Sequence, residues 1–268
     1  MGVITAIHRY PVKSAWGESL AEGEVEPGGL RADRRWACLD QADGTVVSLK
    51  HPRRWSGMLA VRAAVAADGR TVVRVAGQDH LAGTAGADRA LSECLGRPVR
   101  LSRELPADAR LHRLLPDEAG MVPDWLAADA GQELVTGVAG GSDGRFVDFG
   151  AVHLVTTGAL ARLAAEVGHG VDPLRFRPNV VLDAPADPEP GTELRAGEVV
   201  LRVRFATPRC VVPAVDAAGG PVDRALLAAL ARHHRAELPG IGRAACFGVY
   251  ADVVVPGRIG VGQRLSAG

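Results

Sequence analysis

The sequence predicts a mixed, β-rich α+β fold, and three observations point to it. Many short apolar or β-branched runs are separated by turns rich in Gly, Pro and Asp, as strands of antiparallel sheets are. Only two or three segments show helical spacing, and they do not alternate regularly with the strands as in a parallel sheet. The 268 residues are 47% hydrophobic, which is enough to bury the core of one large domain or of two closely associated ones.

The first hundred residues predict an antiparallel meander or small barrel. Residues 2–11 alternate loosely and end at Pro11, which predicts an edge strand followed by a turn. Asp-Gly pairs at 43–44 and 68–69 suit tight hairpin turns. The segment 86–96 has helical spacing and a terminal glycine, so it predicts a helix. Further strands are predicted by the runs at 34–40, 45–49, 58–66 and 71–77.

The second half predicts a separate group of strands with two helices. Residues 101–145 mix Pro, Gly and charge, and they predict a connector with some helix. Residues 157–168 predict a helix with Thr157 as its cap and Gly168 as its end. A second helix is predicted at 222–234. Strands are predicted at 151–157, 179–184 and 198–207, and two more, joined at a Pro-Gly turn, within 247–265.

Charge and motif content argue against several classes of protein. The formal net charge is zero, so no surface for nucleic acid or for a membrane is indicated. No apolar run reaches the length of about 18 residues that a transmembrane helix needs, and the N-terminus does not resemble a signal peptide. The four cysteines are widely spaced without a CxxC pair, which predicts free thiols in a reducing cytoplasm. The glycine-rich phosphate-binding motifs GxGxxG and GxxxxGK[ST] are absent from the sequence.

Three basic islands contain the candidates for binding an anion. Lys13 and Ser14 follow a proline turn, and Arg34 belongs to a group of arginines at the start of a strand. Arg177 precedes a proline, which predicts an extended backbone there, and Asn179 follows that proline. Lysine supplies a point charge, arginine a planar fork of donors, and serine and asparagine neutral donors. If the islands converge, they form a pocket for an anionic ligand such as a phosphorylated cofactor; taken singly, each arginine is better explained as solvated charge at the end of a barrel.

Cys210 and Asp148 are the candidates for chemistry. Cys210 follows an arginine, and a neighbouring cation favours the thiolate, which is the form that binds metals and acts as a nucleophile. Most free cysteines are nevertheless packing residues, as we expect for the other three. Asp148 is a lone acid among apolar residues and serves either as a turn cap or as a polar group lining a site. His153 is interpreted as a hydrogen-bonded strand histidine. The only lysines are Lys13 and Lys50, which makes each of them a candidate for a functional role. A coding bias toward arginine explains their scarcity more simply.

Seven motifs of the sequence resemble, both in their residues and in their order along the chain, the signatures of the MOSC superfamily. This superfamily is named for the C-terminal domain of molybdenum cofactor sulfurase. Within it, the sequence looks most like the amidoxime-reducing components and their bacterial counterparts. The resemblance implies an N-terminal β-barrel domain over residues 1–98 and a MOSC β-barrel domain with a few helices over residues 99–268. The motifs are YPVKS (10–14), DRRW (33–36), HLVTTGAL (153–160), RFRPNVV (175–181), PRCVVPAVD (208–216), FGVYADV (247–253) and PGRIGVGQRL (256–265).

The resemblance also implies a molybdenum cofactor of the molybdopterin type, held between the two halves. The cysteine of the family's "RC" motif, which binds molybdenum through its thiolate, corresponds to Cys210. Asp148 corresponds to the acidic residue that reductase members place near the metal, where it would donate a proton or position the substrate. The family's grip on the cofactor phosphate corresponds to Lys13, Ser14, Arg34 and Arg177, with Asn179 beside it.

Several functions remain compatible with this resemblance. The first is the reduction of N-hydroxylated or N-oxide small molecules, for which electrons must come from a separate donor protein, since the C-terminal ferredoxin domain of many bacterial relatives is absent from this sequence. The second is sulfur transfer through a persulfide on Cys210 that a cysteine desulfurase supplies. The others are a non-catalytic cofactor carrier and a relative that has lost the cofactor. Three departures from the family pattern leave the substrate open. Pro208 precedes Arg209 and no thiol neighbours Cys210, the segment after Asp148 is FGAVH, and residues 216–220 are DAAGG.

Overall fold

The computed structural model describes residues 2–138, 143–215 and 222–267, so the DAAGG segment lies outside the described residues. The predicted β-rich class with few helices is confirmed. In the first half the strands are β1 (Gly2–Arg9), β2 (Glu18–Leu20), β3 (Glu22–Glu26), β4 (Gly29–Leu30), β5 (Ala37–Asp40), β6 (Arg62–Val65), β7 (Thr71–Val75), β8 (Gln78–Leu81) and β9 (Val99–Ser102). In the second half they are β10 (Arg110–Leu114), β11 (Glu133–Gly137), β12 (Val152–Thr156), β13 (Val180–Asp183), β14 (Glu193–Ala196), β15 (Val199–Pro208), β16 (Arg235–Leu238), β17 (Gly242–Val255), β18 (Gly257–Gly260) and β19 (Arg264–Ala267).

Four α-helices and four short 3₁₀ helices accompany these strands in the described ranges. No described helix has both the length and the apolar character needed to cross a bilayer. The α-helices are α1 (Pro52–Trp55), α2 (Ala85–Leu95), α3 (Thr157–Val167) and α4 (Arg224–His233). The 3₁₀ helices are Ser56–Ala60, Asp124–Asp129, Pro173–Phe176 and Val212–Ala214.

Seven strands form a closed barrel, in the order β12-β13-β1-β19-β14-β15-β17, with β17 pairing back onto β12. Only the β12–β13 pairing is parallel. Because the barrel is closed, the sheet has no free edge with unpaired backbone N–H and C=O groups, and alternate side chains fill its interior. The interior residues include Ile4, Leu154, Leu182, Leu201 and Ala251, all of them buried.

The first strand is not the edge strand that its sequence predicts. β1 pairs on one side with β13 and on the other with β19 and β2, and Ile4 and Ile7 are fully buried. The register toward β13 shifts between Ile4 and Ala6, and this bulge explains the loose alternation. Strand pairing therefore crosses the predicted division between residues 1–98 and 99–268: β1 belongs to the barrel, β3 pairs with β18 and β5 with β9. The division itself stays a prediction.

The N-terminal half packs small antiparallel sheets against α2. β6, β7 and β8 form one sheet, and Leu91 of α2 lies in a buried cluster with Trp55, Met58 and Val73. The helix ends at a left-handed glycine, as its sequence predicts, and it begins at a Thr84 cap, one residue before the first helical position.

Several predicted segments differ from the structure. Of the strand predicted at 58–66 only Arg62–Val65 is a strand, because its first residues belong to the 3₁₀ helix Ser56–Ala60. Residues 45–49 are not a strand: only Val46 bridges to Leu39, and the chain then turns at residues 49–50. Residues 101–145 contain the antiparallel pair β10–β11 as well as a 3₁₀ helix. Residues 247–265 lie in three strands instead of two, because β17 and β18 are followed by a further turn at Val261 and Gly262. The cap of α3 is Thr156, whose side chain accepts a hydrogen bond from the backbone of Ala159, and not Thr157.

Candidate functional site

One cavity gathers all seven site residues that the sequence analysis singles out. They come from the turn after β1, the segment before β5, the segment before β12, the segment before β13 and the end of β15. These residues are Lys13, Ser14, Arg34, Asp148, Arg177, Asn179 and Cys210. The sequence islands therefore converge in space, although each is far from the others along the chain.

Backbone strain is concentrated at this cavity. Five described residues other than glycine have a positive φ, and three of them are Ser14 (66°), Arg34 (50°) and Arg177 (54°). A left-handed conformation costs about 1–2 kcal/mol for a residue with a side chain. The extended backbone predicted for Arg177 is wrong, because this residue ends the 3₁₀ helix Pro173–Phe176 in the left-handed region. Such strain is typical of positions where a side chain must be aimed at a ligand.

Arg34 and Arg177 are held together on one aromatic ring. Their guanidinium carbons lie 4.9 and 4.5 Å from the ring centroid of Tyr10. Arg34 also donates to the Arg177 carbonyl oxygen at 3.2 Å and pairs with Asp33. Arg177 donates to the carbonyl of Ala15 at 2.8 Å, and among the described residues no carboxylate pairs with it. Burial, with Arg34 nearby, lowers the pKa of Arg177 to about 10, so the group stays protonated but under-compensated.

Asp148 lies between the only two lysines of the chain. Its Oδ1 accepts hydrogen bonds from Lys13 Nζ at 3.0 Å and from Lys50 Nζ at 2.7 Å. Burial alone would raise the pKa of Asp148, but the two ammonium groups hold it well below its ordinary value. Asp148 is therefore a carboxylate at neutral pH, which favours the positioning role over that of a proton donor.

Lys13 is the most buried cation of this group. Its Nζ also donates to the Phe146 carbonyl at 3.1 Å. Burial lowers the pKa of Lys13 to about 8, although Asp148 opposes this change. Lys13 is thus protonated at neutral pH but close to losing its proton, and a bound anion would raise its pKa.

Ser14 and Asn179 differ in how many of their polar groups are already hydrogen-bonded within the protein. Ser14 Oγ accepts a hydrogen bond from the backbone of Leu49 at 3.1 Å, which leaves its hydroxyl proton for a ligand. Asn179 is buried, accepts from the backbone of His153 at 3.1 Å and donates to the carbonyl of His8 at 3.2 Å. Asn179 therefore joins β12 to β1, and only part of its amide can serve a ligand.

Cys210 is distinguished from the other cysteines by its place. It follows β15 directly, precedes the 3₁₀ helix Val212–Ala214, and lines the cavity with partial exposure. The other three cysteines do not line this cavity. Burial raises the pKa of Cys38 to about 12 and that of Cys246 to about 11, so these thiols stay protonated.

Arg209 holds the segment that carries Cys210. Its guanidinium donates to the Phe247 carbonyl and to His153 Nε2, the latter at 2.5 Å, and its carbon lies 5.2 Å from the ring centroid of Phe176. Its backbone donates to the Ala245 carbonyl at 2.8 Å. Burial and the charge of Arg209 hold the pKa of His153 well below its ordinary value, so this strand histidine is a neutral acceptor.

Further polar residues line the cavity without having been predicted as site residues from the sequence. Lys50 had a usable signal, because it is one of only two lysines. Arg113 lies in the segment predicted as a connector. Arg175 belongs to the same basic island as Arg177 but was not predicted as a site residue, and Tyr250 lies within the FGVYADV motif. Within the described ranges, no group of three or more His, Cys, Asp or Glu side chains is arranged to hold a metal.

Comparison with known proteins gives two domain matches, one similar curated protein and several similar solved structures. Mitochondrial amidoxime reducing component 2 of Bos taurus is 25% identical over 245 residues, which is 84% of this chain and 69% of that protein. Among solved structures, the YuaD protein of Bacillus subtilis has a TM-score of 0.46 at 11% identity. The match covers 98% of this chain and 93% of that chain. YiiM of Geobacillus stearothermophilus has a TM-score of 0.33 at 17% identity, with 59% of this chain and 75% of that chain covered.

The two domain matches decide the family. The MOSC N-terminal beta barrel domain matches residues 1–101, and the MOSC domain matches residues 142–266. Together they span most of the chain, in the order that the seven motifs predict. The chain therefore belongs to the MOSC superfamily and combines the MOSC domain with the N-terminal β-barrel domain.

Proposed function

We propose that the protein binds a molybdenum–pterin cofactor in this cavity and reduces N-hydroxylated or N-oxide small molecules. The observation that carries the proposal is that one cavity contains a single cysteine, Cys210, together with several buried or half-buried cations and too few carboxylates to neutralise them. A soft thiolate is a ligand that suits a transition metal, and cations with N–H donors suit a phosphate. Family membership and the likeness to an amidoxime reducing component support the choice of reaction.

The residues of the chain fit the two ends of such a cofactor. Lys13, Arg34 and Arg177 would hold its phosphate, with the Ser14 hydroxyl as a further donor. The lowered pKa values of Lys13 and Arg177 show that burial has made these charges costly, and a phosphate would offset that cost. Cys210 would be the protein ligand of the metal.

In this reaction the cofactor and the residues of the chain would have different roles. When bound, the molybdenum centre would supply two-electron chemistry, so that an N–OH group, two electrons and two protons become N–H and water. Asp148, ionised and held by two ammonium groups, would position the substrate by accepting a hydrogen bond from its N–H or O–H. Lys13 Nζ, with a pKa of about 8, keeps its proton at neutral pH and so maintains the charge of the cavity. The electrons would come from a separate donor protein.

An activity assay tests this proposal. Protein made in a molybdenum-replete host is supplied with an artificial one-electron reductant and incubated with benzamidoxime or an aromatic N-oxide. We expect reduction by wild type, and loss of at least about 100-fold in Cys210→Ala, since the metal ligand is removed. Cys94→Ala, which changes a partly exposed helical cysteine outside the cavity, is the matched control.

Three outcomes would count against the reductase. Full activity and full molybdenum content in Cys210→Ala would show that Cys210 is not the ligand. Bound pterin without turnover of any N-oxygenated compound would support a cofactor carrier. A persulfide on Cys210 after incubation with a cysteine desulfurase, in protein without molybdenum, would support sulfur transfer.

A further inference from the structure

Arg113 occupies an inward-facing strand position that the proposed reaction does not use. It lies on β10, where side chains alternate between two faces. Leu111, two residues earlier, packs in a buried cluster with Phe146. His112, between them, faces the other side and contacts Glu133 and Asp43 at 2.7 and 2.9 Å. Arg113 therefore continues the buried face of β10 and reaches the cavity that contains Cys210.

This arginine has no counter-charge among the described residues. Its Nε is buried without a hydrogen-bond partner, and no described carboxylate pairs with its guanidinium. Arg34 and Arg175, which line the same cavity, are paired with Asp33 and Asp223. A buried donor without an acceptor costs about 1–3 kcal/mol, more when it is charged. A ligand that accepts from Arg113 would remove this cost.

Lys50 lies on the same wall of the cavity. The backbone of Leu114, next to Arg113, donates to the Lys50 carbonyl at 2.8 Å, which holds the two segments side by side. The Lys50 ammonium contacts Asp148, but that carboxylate oxygen is shared with Lys13. A single carboxylate between two ammonium groups leaves this part of the cavity positively charged.

We propose that Arg113 and Lys50 form an anion subsite that binds a carboxylate on the substrate, so that the preferred substrates are N-hydroxylated compounds that carry a carboxylate. This inference rests on the proposed function. The phosphate grip already uses Lys13, Arg34 and Arg177, which leaves these two cations for a different anion. A guanidinium fork with an ammonium beside it suits a carboxylate. Arg113 supplies a full positive charge, whereas the charge of Lys50 is partly neutralised by the carboxylate that it shares with Lys13. Together they match a ligand with one negative charge better than a ligand with two.

The test compares a neutral aryl amidoxime with the same compound carrying a para-carboxylate. We expect wild type to have a KM about tenfold lower for the carboxylated compound, because a hydrogen bond to a charged group contributes that much or more. Arg113→Gln removes the charge and shortens the side chain while keeping a polar amide, and it should remove this preference by raising the KM of the carboxylated compound. Arg110→Gln, an exposed position on the other face of β10, is the control and should keep the preference.

Calorimetry and metal analysis separate this inference from the proposed function. Wild type should bind an aryl carboxylate about tenfold more tightly than the matching carboxamide, and Arg113→Gln should bind both equally, whether or not any substrate is reduced. If no compound is reduced but this binding difference holds, the proposed function fails and the subsite stands. Equal binding of carboxylate and carboxamide by wild type overturns the subsite. Tighter binding of the aryl phosphonate, or loss of pterin and molybdenum in Arg113→Gln, overturns it as well, because Arg113 would then serve a phosphate.

Discussion

Lys13 Nζ lies 3.0 Å from Asp148 Oδ1, and this ion pair joins the turn after β1 to the segment before β12. The two residues are 135 positions apart in the chain. The lysine is 7% exposed and the aspartate 31%, so the ammonium group is buried while part of the carboxylate side chain stays accessible. Lys50 reaches the same carboxylate, which brings both lysines of the protein to one oxygen atom.

Replacing Asp148 should destabilise the protein in a pH-dependent way. Asp148→Asn leaves two ammonium groups without their carboxylate, and we expect the free energy of unfolding at pH 7 to fall by about 2 kcal/mol. Because the folded-state pKa of Asp148 is depressed, its contribution is present above the ordinary carboxyl pKa and is lost as the pH falls. Urea denaturation at pH 7 and at pH 3 checks this. Asp108→Asn, an exposed aspartate, is the control, and an equal effect of Asp148→Asn at both pH values would contradict the account.

Anion binding should weaken as Lys13 loses its proton. The pKa of Lys13 is lowered to about 8, so its positive charge is present below that pH and disappears above it. Calorimetry with sulfate, whose charge is constant over this range, should show about fivefold weaker binding at pH 9 than at pH 7. Lys13→Arg, which stays protonated, should show a flat profile. A flat wild-type profile would mean that Lys13 does not contact the anion.

Removing left-handed strain should have different consequences at two positions. Ala76 has a φ of 49° in the exposed turn between β7 and β8, and Ala76→Gly should stabilise the fold by about 1 kcal/mol without affecting sulfate binding. Arg177→Gly removes comparable strain but also removes a buried cation. We expect at least about tenfold weaker sulfate binding in this variant. Calorimetry on both variants checks this, and unchanged binding in Arg177→Gly would show that the strain does not serve an anion.

A methyl group at Gly248 should disturb the support of Cys210. A Cβ there would lie 2.5 Å from the Leu154 carbonyl and 2.7 Å from His153 Nε2, at a φ of 71°. Gly248→Ala should cost about 3 kcal/mol by urea denaturation, since left-handed strain and overpacking add. Gly168→Ala is the matched control, because its φ is 80° but nothing lies within 4 Å of the added Cβ. The control should cost about 1 kcal/mol, and equal costs would mean that the contact with His153 is unimportant.

The motifs identified the candidate residues, but not how the chain brings them together. Residue types made Lys13 and Arg177 candidates for binding an anion only if the basic islands converge, and the sequence alone could not show that convergence. The left-handed backbone of Arg177 was not predictable, since the following proline favours an extended conformation and the 3₁₀ helix overrides it.

Contacts that depend on strand register, or on pairing between distant segments, could not be predicted from local sequence patterns either. The bulge between Ile4 and Ala6 concealed the central position of β1. Val46 belongs to a segment that resembles a strand in sequence but leaves the sheet, and this departure brings Lys50 to Asp148. Arg113 was hidden because charged residues usually face solvent, whereas its strand turns it toward the cavity.

The molybdenum content of Cys210→Ser tests the central claim most directly. Wild type, Cys210→Ser and the control Cys94→Ser are purified from the same molybdenum-replete host, and metal and releasable pterin are measured per chain. We expect wild type and Cys94→Ser to carry molybdenum with pterin, and Cys210→Ser to lose at least about nine-tenths of the metal because a hydroxyl is a poor substitute for a soft thiolate. Molybdenum and pterin at the wild-type level in Cys210→Ser would contradict the account.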